Sequence, residues 1–137
     1  MFSSIMVPVD LAHVESLQKA LATAADLAHH YNASVTYLGV ASALPTSLTQ
    51  NAGDYQRMLD AFVAQEAAHR NVNARAHMVL SHDPAAELNN AILRAIRDSG
   101  ADLVVMASHV PGIIDHIFSS HGGWIASHAP VTVMVVR

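Results

Sequence analysis

The chain has 137 residues, of which 52% are apolar and only 13% charged, with a formal net charge of −4 and no cysteine. This is the size of one ordinary domain with a substantial core, and the missing cysteines exclude a disulfide framework, a thiolate zinc site and a cysteine nucleophile. Lys and Arg number only 7, which leaves no basic stripe of the kind that nucleic-acid binders carry.

Met1-Phe2-Ser3-Ser4 passes at once into an apolar run, without the basic start of a signal peptide, and no apolar stretch reaches the ~18–20 residues of a membrane span. A cytoplasmic protein with no membrane and no nucleic-acid partner is expected. Ile5-Met6-Val7-Pro8-Val9, ending in Asp10, reads as a buried strand with Pro8 near its exit, because proline is awkward in a strand's middle. Leu17, Leu21, Ala24 and Ala28 recur at helical spacing, and Asn32 is a plausible stop. Ala33 to Val40 is β-branched and aromatic, a second strand. Ala41 to Gly53, with Pro45 and several Ser, Thr and Asn residues, reads as a long loop, and Met58, Leu59, Phe62 and Val63 mark a second helix.

Arg75 to Leu80 partly alternates polar with apolar, as a half-exposed strand should. Asp83-Pro84 opens a third helix with a capping carboxylate and proline at the first position. Leu88, Ile92, Ala95 and Ile96 give its buried face, and Gly100 its C-terminal cap. Leu103 to Met106 is a fully apolar fourth strand, Ser120 to His128 a last helix and Val131 to Val136 a fifth strand. Strand and helix alternate without internal repeats, so a single α/β domain over 1–137 is expected, a parallel sheet with helices on both faces.

Ligands of such sheets bind beyond the carboxyl ends of the strands, where strand order reverses. If the first and fourth strands are neighbours there, Pro8-Val9-Asp10 and Met106-Ala107-Ser108-His109 face one crevice, with Gly39-Val40 close by. Small residues at these exits suit a ligand that must approach the backbone. The start of the last helix offers unpaired amides and a positive dipole end to an anion. Ser119 or Ser120 could cap that helix and donate a hydroxyl to phosphate; Gly122 and Gly123 would let a ligand come close. The bland alternative is an N-cap followed by a loose helix start. Neither GxxxxGK[ST] nor a strand-anchored GxGxxG is present. The ten histidines form no metal-ligand pattern such as HExxH. Ser108-His109 lacks the orienting carboxylate of a triad, so no catalytic constellation is found.

Three segments carry a family resemblance: "IMVPVD", "SHDPAAELNNAILRAIRDSGADLVVMASH" and "HAPVTVMVVR". Along nearly its whole length the chain resembles the universal stress protein family. That resemblance implies a five-stranded parallel sheet with four helices, a Rossmann-like fold of the adenine nucleotide α-hydrolase type, and commonly a homodimer. It also implies ATP or another adenine nucleotide as ligand, although one branch of the family lacks nucleotide binding. ATP-binding members carry Gly-x-x-Gly, a spacer, and Gly-Ser or Gly-Thr. Here Ala107 and Val110 stand at the first two glycines, the spacer is shorter, and Ser119-Ser120 replace the final pair, as in a short-loop subclass with a degenerate motif. By position Asp10 would meet ribose or adenine, Val40 the base, and Ala107, Ser108, His109, Ser119, Ser120 and His121 the phosphates.

Alanine and valine resist the positive-φ conformations that glycine often supplies, and Gly112 would restore part of that freedom. No Lys or Arg lies between Arg97 and Arg137, so a triphosphate would depend on amides, hydroxyls and Mg²⁺ carried on its phosphates. The leading reading is a nucleotide-binding stress protein whose ligand stabilises or switches a dimer. A nucleotide-free interaction module and a slow ATPase are the alternatives. Val131-Thr132-Val133-Met134-Val135-Val136 is apolar on both faces and is expected at a sheet edge, where it would pair with a second chain. Val133, at its middle, is the residue expected to matter most there.

Overall fold

The computed structural model describes residues 1–46, 48–108 and 121–137, apart from the side chains of Pro84, Ala85 and His121. The strands are β1 (Ser4–Pro8), β2 (Ser34–Ser42), β3 (Ala74–Ser81), β4 (Leu103–Ala107) and β5 (Thr132–Val136). They alternate with α1 (Gln18–Tyr31), α2 (Ala52–Arg70), α3 (Pro84–Ser99) and α4 (His121–His128). All five strands pair in parallel in the order β3-β2-β1-β4-β5. Direction of growth therefore reverses between β1 and β4, as the candidate crevice requires.

The helix boundaries follow from local chemistry. Asn32 and Gly100 end α1 and α3 in the left-handed conformation, which Asn tolerates better than most side chains and Gly adopts without strain. Asn71 ends α2 in the same way. The Asp83 carboxylate accepts from the amide of Ala86, so the cap read from Asp83-Pro84 is present. Two boundaries differ from the sequence reading. β2 runs on through Ala41 and Ser42, and α2 begins at Ala52, so the loop is shorter than expected. Ala41 is buried against α2's face of the sheet, and the Asn51 side chain caps α2 by accepting from the Asp54 amide; neither signal is periodic in sequence. A short 3-10 turn, Val14–Leu17, was likewise not expected.

Alternation along the strands divides the core into two layers. Ile5, Val7, Val35, Tyr37, Leu103 and Val105 face α1 and α2, whereas Met6, Leu38, Val104 and Met106 face α3 and α4. Leu88, Ile92, Ala95 and Ile96 are all fully buried, as the spacing in α3 predicts. Trp124 and His128, one turn apart on α4, stack face to face with centroids 3.9 Å apart.

Both sheet edges carry information. On β3, Arg75 begins the segment expected to be half-exposed. Its guanidinium also donates to the buried hydroxyl of Thr36 and to the Ser99 carbonyl, placing a cation at the negative C-terminal end of α3. On β5 the half-buried residues are Val131, Val133 and Val136, while Thr132, Met134 and Val135 are exposed. Val133 packs against the α3–α4 layer, so Met134 and Val135, not Val133, present the strand's free surface.

At the opposite end of the sheet from the crevice, Asp102 fastens the entrance of β4 to that of β1. Its carboxylate accepts from the amides of Ser3 and Ser4 and from the Ser3 hydroxyl, all at 2.9–3.0 Å. Partial burial acts to raise its pKa, but these donors outweigh burial and hold the carboxyl below its ordinary range. Because the folded state binds the carboxylate's proton less readily, Asp102 stabilises the fold above the unfolded-state value of about 3.9, and that contribution is lost as pH falls through the folded value. Asp102→Ala is expected to cost about 1–2 kcal/mol at pH 7, with a smaller difference near pH 3. Urea denaturation at the two pH values measures it.

Candidate functional site

The exits of β1 and β4 lie side by side. Pro8 closes β1, and the Val9 amide continues the ladder by donating to the Leu38 carbonyl at 2.8 Å. Asp10 follows as a buried acid, its side chain only 5% exposed. One carboxylate oxygen accepts from the Ala12 amide at 3.0 Å, and the other lies 2.8 Å from His13 Nδ1. Asp10 thus caps the turn that leads to the Val14–Leu17 helix and pairs with the histidine of that turn. The family resemblance gave it a contact with ribose or adenine. The cap is present, and both oxygens are engaged.

Across the reversal, Met106 and Ala107 are buried in β4 and Ser108 is half-buried just beyond it. The Ser108 amide donates to the Val136 carbonyl at 2.7 Å, so it is spent on β5 and is not offered to an anion. Val40, expected at the second strand's exit, lies inside β2, two residues before its end, and is half-buried against the α3–α4 layer. At the start of α4, Gly122 is buried, and a Cβ there would lie 3.3 Å from a methyl of Val135. Close helix–strand packing is therefore a sufficient reason for that glycine. His109, Gly112, Ser119 and Ser120, and the side chain of His121, lie outside the described residues.

Two residues that the sequence did not single out shape this end of the sheet. Tyr55, from the first turns of α2, is 8% exposed. A Cβ on Gly39 would sit 2.6 Å from the Tyr55 hydroxyl and 2.7 Å from Cε1. The small residue at β2's exit, expected to admit a ligand, admits the Tyr55 ring instead. Burial, with the negative charge of Asp10 adding to it, pushes the Tyr55 phenol well above its ordinary pKa. A glycine inside a β-branched and aromatic strand was the available signal for a close approach; which group approaches it is a matter of tertiary structure. His13 is the other residue, legible only as part of "DLAH".

A sequence profile of the universal stress protein family matches residues 1–137. This chain belongs to the universal stress protein family. A related universal stress protein G from Shigella flexneri is 28% identical over 145 residues, with 100% of both chains covered. Among solved structures, a universal stress protein in complex with cAMP superposes with a TM-score of 0.69 at 18% identity, covering 99% of this chain and 97% of that one. The universal stress protein from Archaeoglobus fulgidus in complex with dAMP gives a TM-score of 0.68 at 17% identity, covering 98% of each chain. These likenesses show the shared Rossmann-like fold.

The described residues of this universal stress protein contain no group of three His, Asp or Glu side chains that could hold a metal. No described helix is long and apolar enough to cross a membrane. Two surface hollows, one of about 510 Å³ along α3 and one of about 250 Å³ beside α2, share no lining residue with the crevice.

Proposed function

We propose that this universal stress protein, a single domain over 1–137, binds an adenine nucleotide such as ATP at the β1–β4 crevice. The ligand stabilises or switches a homodimer joined through β5, in a stress-response or signalling role in the cytoplasm. The observation that carries the reading is the reversal of strand order, which sets Pro8-Val9-Asp10 beside Met106-Ala107-Ser108 at the strands' carboxyl ends. The family neighbours in complex with cAMP and dAMP support it. Asp10 and Val40 serve the ribose and base. Ser119, Ser120, His109, His121 and the backbone near Gly112 and Gly122 serve the phosphates. With no Lys or Arg in that stretch, charge on a triphosphate is balanced by Mg²⁺ arriving on the phosphates rather than by protein ligands.

Calorimetry with ATP and Mg²⁺ tests the proposal, and no saturable heat at millimolar nucleotide overturns it. Ser120→Ala is expected to weaken ATP by about 1 kcal/mol, the net value of one hydrogen bond, and to leave adenosine unaffected. Equal losses for both ligands would remove the phosphate role from that hydroxyl.

A second reading, a nucleotide-free interaction module, is favoured by one specific observation. Both Asp10 oxygens and the Ser108 amide are already engaged within the chain. Mass spectrometry of what the purified protein releases on denaturation separates the two readings, because a released adenine nucleotide belongs only to the first.

A further inference from the structure

Gly39, Asp10 and Tyr55 come from β2, the exit of β1 and α2, and they converge on one place. The Val9 amide bonds the carbonyl of Leu38, which sets Asp10 next to the backbone of Gly39. The Tyr55 ring lies against that same backbone. Its hydroxyl and Cε1 stand 2.6 and 2.7 Å from where a Gly39 Cβ would be, closer than packed carbon atoms approach one another. Leu59 Cδ2 stands beside them at 3.1 Å. No ligand atom fits between ring and strand. The phenol is also near enough to Asp10 to respond to its charge, and the Asp10 carboxylate is itself covered.

We propose that Tyr55 is a gate on the base end of the crevice, its ring occupying the space over Gly39 that a nucleotide reaching Asp10 needs. The proposal rests on the nucleotide reading above and adds its regulation. In the closed form the ring covers the exits of β1 and β2. In the open form it rotates away with the first turn of α2. The preceding loop is short and internally bonded, with the Thr46 hydroxyl accepting from the amides of Leu48 and Thr49. Asn51 and Asp54 hold the start of the helix.

A gate of this kind lowers apparent affinity in proportion to the fraction of open molecules. If about one molecule in ten is open, removing the ring tightens binding roughly tenfold. The hydroxyl is the atom nearest Gly39 and Cε1 the next, so losing the hydroxyl alone should open the space only in part.

The test is calorimetric titration of AMP into the whole chain, unmutated and as Tyr55→Leu and Tyr55→Phe. Leucine keeps an apolar side chain against Leu59 but does not reach Gly39. Should its thermal melt show that it does not fold, Tyr55→Met replaces it. Roughly tenfold tighter AMP binding by Tyr55→Leu, with Tyr55→Phe between it and the unmutated protein, supports the gate. So does binding by Tyr55→Leu where the unmutated protein binds none. Unchanged or weaker binding by Tyr55→Leu, with the unmutated protein binding AMP, overturns the gate and leaves the nucleotide reading standing. Absence of binding in every form, the leucine variant included, overturns both.

Discussion

Met134→Lys is expected to convert a β5-paired dimer into monomers. β5 is the edge strand of the sheet, and its exposed residues Met134 and Val135 are each 38% accessible in the isolated chain. Two copies meeting about a two-fold axis must run antiparallel there. Met134 is the middle residue of Thr132–Val136, so in a centred pairing it faces its own counterpart. The substitution removes apolar burial twice per dimer and sets two like charges opposite each other. Only the exposed part of each methionine is left to bury, about 0.5–1 kcal/mol per chain, so the apolar loss is about 1–2 kcal/mol per dimer, roughly one order of magnitude in the dissociation constant before the like-charge repulsion is added. Val133→Lys is the poorer probe, because Val133 packs inward and its loss would damage the fold as well. Sedimentation at micromolar concentration gives the answer. A monomer for the unmutated protein, or a persistent dimer for Met134→Lys, overturns the pairing.

The largest stability effect is expected at Arg70. Glu66 and Arg70 form an ion pair one turn apart on α2, with side chains only 10% and 14% exposed, and Arg70 also donates to Gln18 Oε1 on α1. Beneath them lies Tyr37, whose buried hydroxyl has no hydrogen-bond partner among the described residues and whose phenol is pushed up to about 12, by burial first and then by the charge of Glu66. Arg70→Met would leave Glu66 charged, nearly buried and uncompensated. Breaking such a pair from one side costs about 3 kcal/mol. Glu66→Gln combined with Arg70→Met should recover much of that loss, since the pair itself contributes far less than the penalty of half of it. Urea denaturation of the single and double variants measures both. A double variant no more stable than Arg70→Met would show that the guanidinium acts through Gln18 rather than through Glu66.

The sheet was legible in the sequence because each strand and helix declares itself locally. The run Ile5-Met6-Val7, the apolar stripe Leu88, Ile92, Ala95 and Ile96, and the stops at Asn32 and Gly100 each follow from a short-range rule. The neighbouring of β1 and β4 follows from the general preference of alternating α/β chains together with the family resemblance. What stayed hidden depends on long-range contact. Nothing near Tyr55 in the sequence says that its ring will lie on Gly39, sixteen residues upstream. The engagement of the Ser108 amide by Val136 depends on the register of β4 against β5. Arg75 looks like an edge charge until α3 delivers the Ser99 carbonyl to it. The helical pattern of α2 was weak for a physical reason: Glu66 takes a buried position among Tyr55, Leu59 and Val63, so charge interrupts the apolar stripe.

The stacked pair on α4 gives this protein a built-in optical reporter. Trp124 is the only tryptophan, so all indole emission comes from one place, two residues from Gly122 and in the layer that supports β5. The His128 ring lies nearly parallel to the indole, at 8°, with Nδ1 2.8 Å from the Trp124 carbonyl. Fluorescence therefore reports on this one stack, and any rearrangement that separates the two rings will change it without an added dye.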